Sequence, residues 1–274
     1  MSKHAEVRRV TVPDIRGLKG RQKIVCLTAY TAPMAARLDE HVDLLLVGDS
    51  LGMVIHGLST PTAVTLDMMI MHGQAVVRGS SHALVVVDLP FGSFEASHEQ
   101  AFRSSVRVMQ ETGCQAVKIE TGEALADTVA FLVQRGVPVV GHVGLRPQAV
   151  HIDGGFKAKG RTMDERTRVM AEAKAVDDAG AFAIVLEGVA ADLAEEITQV
   201  VRAPTIGIGA SPGCDGQILV TDDMLGMFER TPKFVRRYAD IGRSITDAVT
   251  QYAADVRDGA FPGDAELYRF KTGG

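Results

Sequence analysis

Short apolar runs recur along the whole chain, and helical segments separate most of them. Runs of this length, stopped by glycine, proline or an acid, are typical of strands that are covered on both faces in parallel sheets. The predicted strands are 23–28, 44–48, 83–88, 116–120, 138–142, 182–187, 204–208 and 218–221. Strands that alternate with helices, with no repeat period and no linker, predict an α/β fold. We expect a (β/α)8 barrel, the TIM barrel, in a single domain over residues 1–274, with a doubly wound α/β sheet as the alternative.

Helices are predicted between these strands from capping residues and closing glycines. A short helix over 11–20 precedes the first strand and could plug one end of a barrel. After the last strand, apolar residues recur at helical spacing and predict a long amphipathic helix that covers the barrel or contacts a neighbouring subunit. These residues are Phe234, Tyr238, Ile241, Ile245, Val249, Tyr252 and Val256.

Composition and charge exclude several classes of protein. The net charge of −5 has no long run of either sign, so we expect neither nucleic acid nor a membrane as a partner. Cys26, Cys114 and Cys214 are few, distant and odd in number, which indicates neither a disulfide framework nor a zinc site. The first residues lack an apolar signal region, and no apolar stretch is long enough to span a bilayer. We therefore predict a soluble cytoplasmic protein.

Acids stand at or just after the ends of four predicted strands. They are Asp49, Asp88, Glu120 and Glu187, and His142 ends a fifth strand. One such acid could be a turn former or a helix cap. In a barrel, however, the carboxyl ends of the strands converge, and four carboxylates without a partner would repel one another. A bound cation resolves this, and an all-oxygen ligand set favours Mg²⁺ over zinc.

Side-chain alternation adds a lysine to this group. Lys118 and Glu120 share one face of their strand, and charged groups on a buried strand are paired or functional. On the second strand, the same alternation places Asp49 on one side with Leu45 and Val47.

Simpler interpretations stay open for several of these residues. Lys118 could be a structural partner of Glu120, His142 a satisfied core histidine, and Ser50 the cap of a turn. The glycine-rich segment 143–161 is long enough to be a lid. Within it, Lys157 and Lys159 are more simply solvated surface.

Seven motifs in this order resemble the ketopantoate hydroxymethyltransferase family over nearly the whole chain. They are VGDSLG (47–52), VVVDLPFGS (85–93), AVKIE (116–120), VGHVGL (140–145), GGFKAKGR (154–161), VLEGV (185–189) and TIGIGAS (205–211). The resemblance implies a (β/α)8 barrel, commonly assembled as a decamer of two pentameric rings. Strand eight departs from the family, because Thr221-Asp222-Asp223 stands where relatives often carry other polar residues.

The resemblance also implies a role for each candidate residue. Asp49, Asp88 and Glu120 would surround Mg²⁺, with Asp49 and Asp88 also beside the substrate. Ser50 and Lys118 would contact the bound keto acid, and His142 would lie near it. Glu187 would be the catalytic acid/base, with His142 as the competing candidate.

The implied reaction transfers a hydroxymethyl group from 5,10-methylenetetrahydrofolate to 3-methyl-2-oxobutanoate, in pantothenate biosynthesis. A chelating Mg²⁺ would stabilise the enolate formed when a carboxylate removes the C3 proton.

Two rival functions differ from this one. A lyase or mutase of the related phosphoenolpyruvate mutase and isocitrate lyase superfamily should carry a cysteine or a phosphate-binding set on its gating loop, and Thr121-Gly122-Glu123 has no cysteine. A non-enzymatic scaffold has no need of four clustered acids with a lysine.

Overall fold

Eight parallel strands close into a barrel in chain order, which confirms the predicted (β/α)8 fold and excludes the doubly wound sheet. The structure is a computed structural model and describes residues 9–269. The strands are β1 (Ile24–Thr28), β2 (Leu44–Val47), β3 (Leu84–Asp88), β4 (Ala116–Glu120), β5 (Val139–Gly144), β6 (Ala183–Glu187), β7 (Thr205–Ile208) and β8 (Gly216–Leu219). Each strand pairs in parallel with the next, and β8 pairs with β1 to close the barrel.

Helices connect the strands, and several begin at capping residues. The helices are α1 (Val12–Leu18), α2 (Ala32–Leu38), α3 (Leu51–Val54), α4 (Leu66–Gly79), α5 (His98–Thr112), α6 (Ala126–Gln134), α7 (Val150–Asp153), α8 (Met163–Asp178), α9 (Ala191–Val200), α10 (Thr221–Met224) and α11 (Ile241–Arg257). Ser97 and Thr162 each accept a hydrogen bond from a backbone N–H in the first turn, as an N-cap does. Gly113 ends α5 in the left-handed conformation, with φ of 78°, where a side chain would be strained.

The apolar residues form two clusters, one inside the barrel and one between the barrel and its helices. On β3, for example, Leu84 and Val86 belong to the inner cluster, whereas Val85 and Val87 belong to the outer cluster. Ile15 of α1 is fully buried in the inner cluster, so α1 plugs the barrel as predicted.

Strand register brings the charged residues of the inner face together. Asp88 is paired with Lys118, Glu120 with His142, and Gly144 with Glu187. Because parallel strands all run the same way around the barrel, these side chains lie at its carboxyl end. Register therefore assembles the candidate site from four consecutive strands, β3 to β6.

Two predicted strands and one predicted loop were wrong by more than a residue. The eighth strand is shifted towards the amino terminus, because backbone pairing includes Gly216 and Gln217, whose side chains carry no apolar signal. The fifth strand continues to Gly144. The segment 143–161 is not a plain loop, since it contains a 3-10 turn, Pro147–Ala149, followed by α7.

The described chain divides into two compact units, with the boundary between Thr221 and Asp222. In the second unit α11 is shorter than predicted, because Phe234 and Tyr238 precede it. The backbone N–H of Tyr238 donates to the carbonyl of Met224, where a helix would have used a carbonyl four residues earlier. No residue of α11 is buried, and its apolar stripe is exposed at Ile245, Val249, Tyr252 and Val256. The single domain predicted over 1–274 stays a prediction.

No helix in the part of the chain from residue 9 to residue 269 is long and apolar enough to cross a membrane.

Candidate active site

The predicted charged residues converge at the carboxyl end of the barrel. Asp49, Asp88, Lys118, Glu120 and His142 are each at most 6% exposed, and the side chain of Glu187 is 19% exposed. Four acids and one lysine in a buried site leave a net negative charge if all are ionised. Their environment therefore decides which of them carry a proton.

Asp49 and Asp88 are joined directly. The backbone N–H of Asp49 donates to Asp88 Oδ2 at 3.0 Å. The prediction that Asp49 shares a side with Leu45 and Val47 was wrong, because those two residues pack in the outer cluster between barrel and helices. The strand ends at Val47, and the turn that follows brings Asp49 into the site. Burial raises the pKa of Asp49 to about 7, and the negative charge of Asp88 adds to this.

Lys118 is a buried cation held by the acids. Its Nζ lies 3.1 Å from Asp88 Oδ1 and 3.2 Å from Nδ1 of His142. Burial lowers the pKa of Lys118, but the carboxylates of Asp88, Asp49 and Glu120 outweigh it and raise that pKa above its ordinary value. Lys118 is therefore charged at neutral pH. Its ion pair is with Asp88, and the charge of Glu120 also acts on it, so a structural role beside Glu120 stays a prediction.

His142 is neutral, and both of its ring nitrogens are engaged. Its Nε2 lies 2.7 Å from the carbonyl oxygen of Leu145. A carbonyl only accepts, so this contact assigns the ring proton to Nε2 and leaves Nδ1 to accept from Lys118. Burial, with the positive charge of Lys118, lowers the pKa of His142 well below its ordinary value. A neutral ring without a free lone pair is poorly suited to remove a proton from a substrate.

Glu187 differs from the other acids in its access and in its lack of donors. Its Oε2 lies 3.5 Å from His142 Nε2, and it accepts no hydrogen bond from residues 9–269. Burial raises the pKa of Glu187 to about 7; Lys118 opposes this shift, while Asp49 and Asp88 add to it. A carboxyl group with this pKa can both take and release a proton near neutral pH.

Gln148, which the sequence analysis missed, ties two acids to one loop. Its side-chain amide donates to Asp49 Oδ2 at 2.8 Å and to the carbonyl of Leu89 at 3.0 Å. Its backbone N–H lies 3.1 Å from both carboxylate oxygens of Glu120. Burial raises the pKa of Glu120 well above its ordinary value, as does the charge of Asp49. No periodic pattern marks Gln148, because it lies in the 3-10 turn of an irregular segment.

Tyr30 also escaped the sequence analysis, although its position offered a signal. It follows β1 at the carboxyl end of the barrel, where strand-end residues converge, and its hydroxyl lies 2.9 Å from Ser50 Oγ. Ser50 precedes α3, but its side chain makes no capping hydrogen bond. The side chain of Ser50 therefore does not act as a helix cap. Ser50 directly follows Asp49 in the sequence.

Asp49 and Asp88 fit a magnesium ion better than any larger set of residues. Among the described residues, no three His, Cys, Asp or Glu side chains come close enough to hold a metal ion between them. Mg²⁺ usually takes one or two carboxylates together with waters and substrate oxygens, so two acids suffice. Asp88 Oδ1 is buried and lies 3.1 Å from the ammonium of Lys118, which shows that this oxygen already faces a positive charge. Glu120 as a third ligand stays a prediction.

Residues of the glycine-rich segment close one side of this end of the barrel. Lys157 is exposed, as predicted. Lys159 is not plain solvated surface, because its Nζ lies 2.8 Å from Asp153 and its side chain is only 13% exposed. Its backbone N–H also donates to the carbonyl of Gly188, next to Glu187. Beyond β8, Thr221 Oγ1 donates to the carbonyl of Thr28, so this residue joins the end of β8 to the end of β1.

Solved structures with this fold include enzymes that act on small organic acids. Phosphonopyruvate hydrolase matches with a TM-score of 0.60 at 13% identity and covers 96% of this chain and 92% of its own. The 2,3-dimethylmalate lyase, described as a PEP mutase/isocitrate lyase superfamily member, matches with a TM-score of 0.61 at 15% identity, covering 95% and 89%. At such identities the likeness shows the barrel fold alone.

Sequence relatives define the family. The model of the ketopantoate hydroxymethyltransferase family matches residues 9–264. The 3-methyl-2-oxobutanoate hydroxymethyltransferase of Phenylobacterium zucineum is 64% identical over all of both chains, and that of Caulobacter vibrioides is 63% identical over 99% of each. This chain belongs to the ketopantoate hydroxymethyltransferase family and is a transferase, as the resemblance implied.

Proposed function

We propose that this protein transfers a hydroxymethyl group from 5,10-methylenetetrahydrofolate to 3-methyl-2-oxobutanoate, giving 2-dehydropantoate and tetrahydrofolate. This reaction would place it in the biosynthesis of pantothenate and coenzyme A. One observation carries the proposal. Glu187, with a pKa of about 7, lies at the same end of the barrel as a buried group of acids and one charged lysine. The relatives' names specify the acceptor.

Asp49 and Asp88 would hold Mg²⁺, with Glu120 at its side. When bound, the ion would draw electrons from the ketone and carboxylate oxygens of the keto acid and so make its C3 proton more acidic. The raised pKa values of Asp49 and Asp88 fit this role, because a cation between them relieves the repulsion that burial makes costly.

Lys118 and Ser50 would orient the keto acid. Lys118 lies within hydrogen-bond distance of both Asp88 and His142, and the acids keep it charged. A buried ammonium is an appropriate partner for a substrate carboxylate. Tyr30 would hold the hydroxyl of Ser50 in place through the contact at 2.9 Å.

Glu187 would remove the C3 proton and later return a proton during the reaction. Its pKa lies near neutral pH, where a general base works best, and no hydrogen bond from the described residues blocks its oxygens. His142 would contribute by position. Its Nε2–H is directed to the carbonyl of Leu145, and its Nδ1 holds the ammonium of Lys118.

Two measurements test this function. Product formation from 3-methyl-2-oxobutanoate and methylenetetrahydrofolate tests the whole reaction. In D₂O, protein, Mg²⁺ and 3-methyl-2-oxobutanoate without folate should exchange the C3 hydrogen, which proton NMR follows. Glu187→Gln should slow this exchange about 100- to 10,000-fold while still binding the keto acid.

Matched variants make the exchange experiment decisive. Glu40→Gln, at an exposed acid outside the site, should exchange at the wild-type rate. His142→Gln should keep most of the exchange. Exchange that survives in Glu187→Gln but vanishes in His142→Gln would move the base to the histidine. Exchange without product formation would leave the enolate step standing and contradict the folate donor.

We also propose a cytoplasmic location and a homo-oligomer, the decamer that the family resemblance implies. The exposed apolar stripe of α11 supports the oligomer, since exposed apolar surface of this kind marks interaction sites. Light scattering at micromolar concentration should give a mass several times that of one chain. A stable monomer would contradict this assembly.

A further inference from the structure

Two histidines outside the candidate active site face each other across a helix junction. His56 lies just beyond α3, and His72 lies on α4. Their Nε2 atoms are 3.0 Å apart, and the ring planes are nearly perpendicular, at 83°. His56 is exposed and His72 is half-buried, so solvent reaches the pair.

The tautomer of His72 is fixed by a third group. Its Nδ1 lies 2.7 Å from the carbonyl oxygen of Tyr30, which can only accept, so Nδ1 carries the proton. The Nε2 lone pair of His72 is therefore directed at His56. Without a cation, His56 must keep its proton on Nε2 to donate across the 3.0 Å gap. With its proton on Nδ1, two lone pairs would meet.

We propose that His56 and His72 bind a late first-row transition cation of the zinc type through their two Nε2 atoms. Imidazole nitrogen is a preferred ligand of these ions, whereas Mg²⁺ prefers oxygen, so this site is chemically distinct from the acid pair. Two zinc–nitrogen bonds of about 2.05 Å that span 3.0 Å meet at an angle of about 94°. A widening of a few tenths of an ångström between the rings reaches the tetrahedral angle.

His72 is held in the orientation that metal-bound histidines usually have. A metal-bound histidine usually donates its other N–H to a carbonyl or a carboxylate, as His72 does to Tyr30. No third His, Cys, Asp or Glu joins the pair within the described part of the chain, so water would complete the coordination. Cys26, Cys114 and Cys214 are all buried, so thiols do not compete for the ion.

An ion at this pair would anchor the segment that follows Asp49 and Ser50. It would join the end of α3 to α4, and through His72 to the backbone of Tyr30, whose hydroxyl contacts Ser50. The inference does not depend on the proposed reaction, because His56, His72 and the backbone carbonyl of Tyr30 have no role in it.

Calorimetric titration of tag-free protein with Zn²⁺, in saturating Mg²⁺ at neutral pH, tests the site. We expect one saturable site per chain, with affinity at least tenfold weaker in His56→Gln and in His72→Gln. His98→Gln, at an exposed histidine elsewhere, is the matched control and should bind as the wild type does. Binding should also weaken on acidification, because protons compete for both nitrogens.

Two results would overturn the site: no saturable Zn²⁺ binding at millimolar concentration, or equal affinity in both variants and the wild type. His56 is exposed, so His56→Gln remains a fair test even if His72→Gln unfolds. Circular dichroism melting curves identify that case.

Discussion

Buried acids occur at both ends of the barrel, and their surroundings are opposite. At the amino end, Asp39 accepts backbone N–H groups from Ser81, His82 and Ala83 at 2.6–2.9 Å. At the carboxyl end, Asp49 has one side-chain donor, and Glu187 has none among the described residues. Burial raises the pKa of Asp39, but these hydrogen bonds reverse the effect, so its pKa lies below the ordinary value. The pKa values of Asp49 and Glu187 rise to about 7.

The difference has a geometric cause. Asp39 follows α2 and Asp177 lies in the last turn of α8, and each is close to the connection that precedes a neighbouring strand. Asp177 accepts the N–H groups of Arg202 and Ala203, just before β7. The carboxylates of Asp39 and Asp177 act as acceptors for backbone N–H groups and so fix the connections that precede the neighbouring strands. At the carboxyl end the acids face one another, and among residues 9–269 the cation in contact with them is Lys118. Stability and chemistry are thus separated along the barrel axis.

The largest expected effect is at the carboxyl end. Asp49→Asn and Asp88→Asn should each lower kcat/KM about 1,000-fold, about 4 kcal/mol, because the cation they would hold stabilises charge in the transition state. Magnesium affinity, measured by calorimetry, should fall in both variants. In Asp49→Asn the free energy of unfolding without Mg²⁺ should stay the same or rise, since one buried charge is removed from a crowded group. In Asp88→Asn it should fall, because the buried ammonium of Lys118 loses its ion-pair partner. Unchanged magnesium affinity in both variants would rule out this ligand pair.

At the amino end, replacing a buried Asp by Asn should lower stability and leave activity unchanged. In Asp39→Asn, the new NH₂ group must face at least one of the N–H donors now bonded to the carboxylate. Leaving buried donors unsatisfied should lower the free energy of unfolding by about 3 kcal/mol. Urea denaturation measures this loss, and kcat of the folded fraction should be unchanged. A variant as stable as the wild type would show that the backbone contacts of Asp39 carry little energy.

The carboxyl-end side of this contrast could largely be predicted from the sequence, because strand alternation places Asp88, Lys118 and Glu120 correctly. Period-two patterns specify which face a residue occupies as long as the strand continues. The rule failed at Asp49, where the strand ends before the acid. It also gave no warning of Gln148, whose contacts depend on an irregular turn that has no periodicity.

The stabilising acids were invisible to pattern analysis for a different reason. Asp39 and Asp177 stand near helix ends, where acids are common and unremarkable. Their role depends on backbone N–H groups that are distant in sequence, and only the folded chain brings these together. The exposed Asp247 of α11 and these buried acids look alike in a sequence.

A smaller effect is expected in the pH dependence of stability, which should differ between the two ends of the barrel. Glu187 has a folded-state pKa of about 7 against an ordinary value of 4.5. Between these values the folded protein holds a proton that the unfolded chain has lost, so stability falls as pH rises through this range. Glu187→Gln should remove this contribution and be more stable than the wild type at pH 7.5 by about 2 kcal/mol, in Mg²⁺-free urea titrations. For Asp39, whose pKa is lowered, stability should instead be lost in acid.

Parallel pH curves for Glu187→Gln and the wild type would contradict a raised pKa at this position.

The smallest effect concerns Asp215, a third amino-end acid, which lies just before β8. Its Oδ2 accepts the backbone N–H of Thr205 at 2.9 Å and forms an ion pair with Lys19 at 2.7 Å. Lys19→Met keeps the apolar stem of the lysine and removes its charge together with its hydrogen bond to the carbonyl of Thr198, while the Thr205 N–H continues to satisfy the acid. Because the lysine side chain is 22% exposed, water replaces part of the lost contact, and the free energy of unfolding should fall by about 1 kcal/mol. Asp215→Asn in parallel should cost more, since it disturbs the backbone contact too. If Lys19→Met were the more damaging of the two in urea denaturation, ion pairing rather than backbone hydrogen bonding would stabilise this end of the barrel.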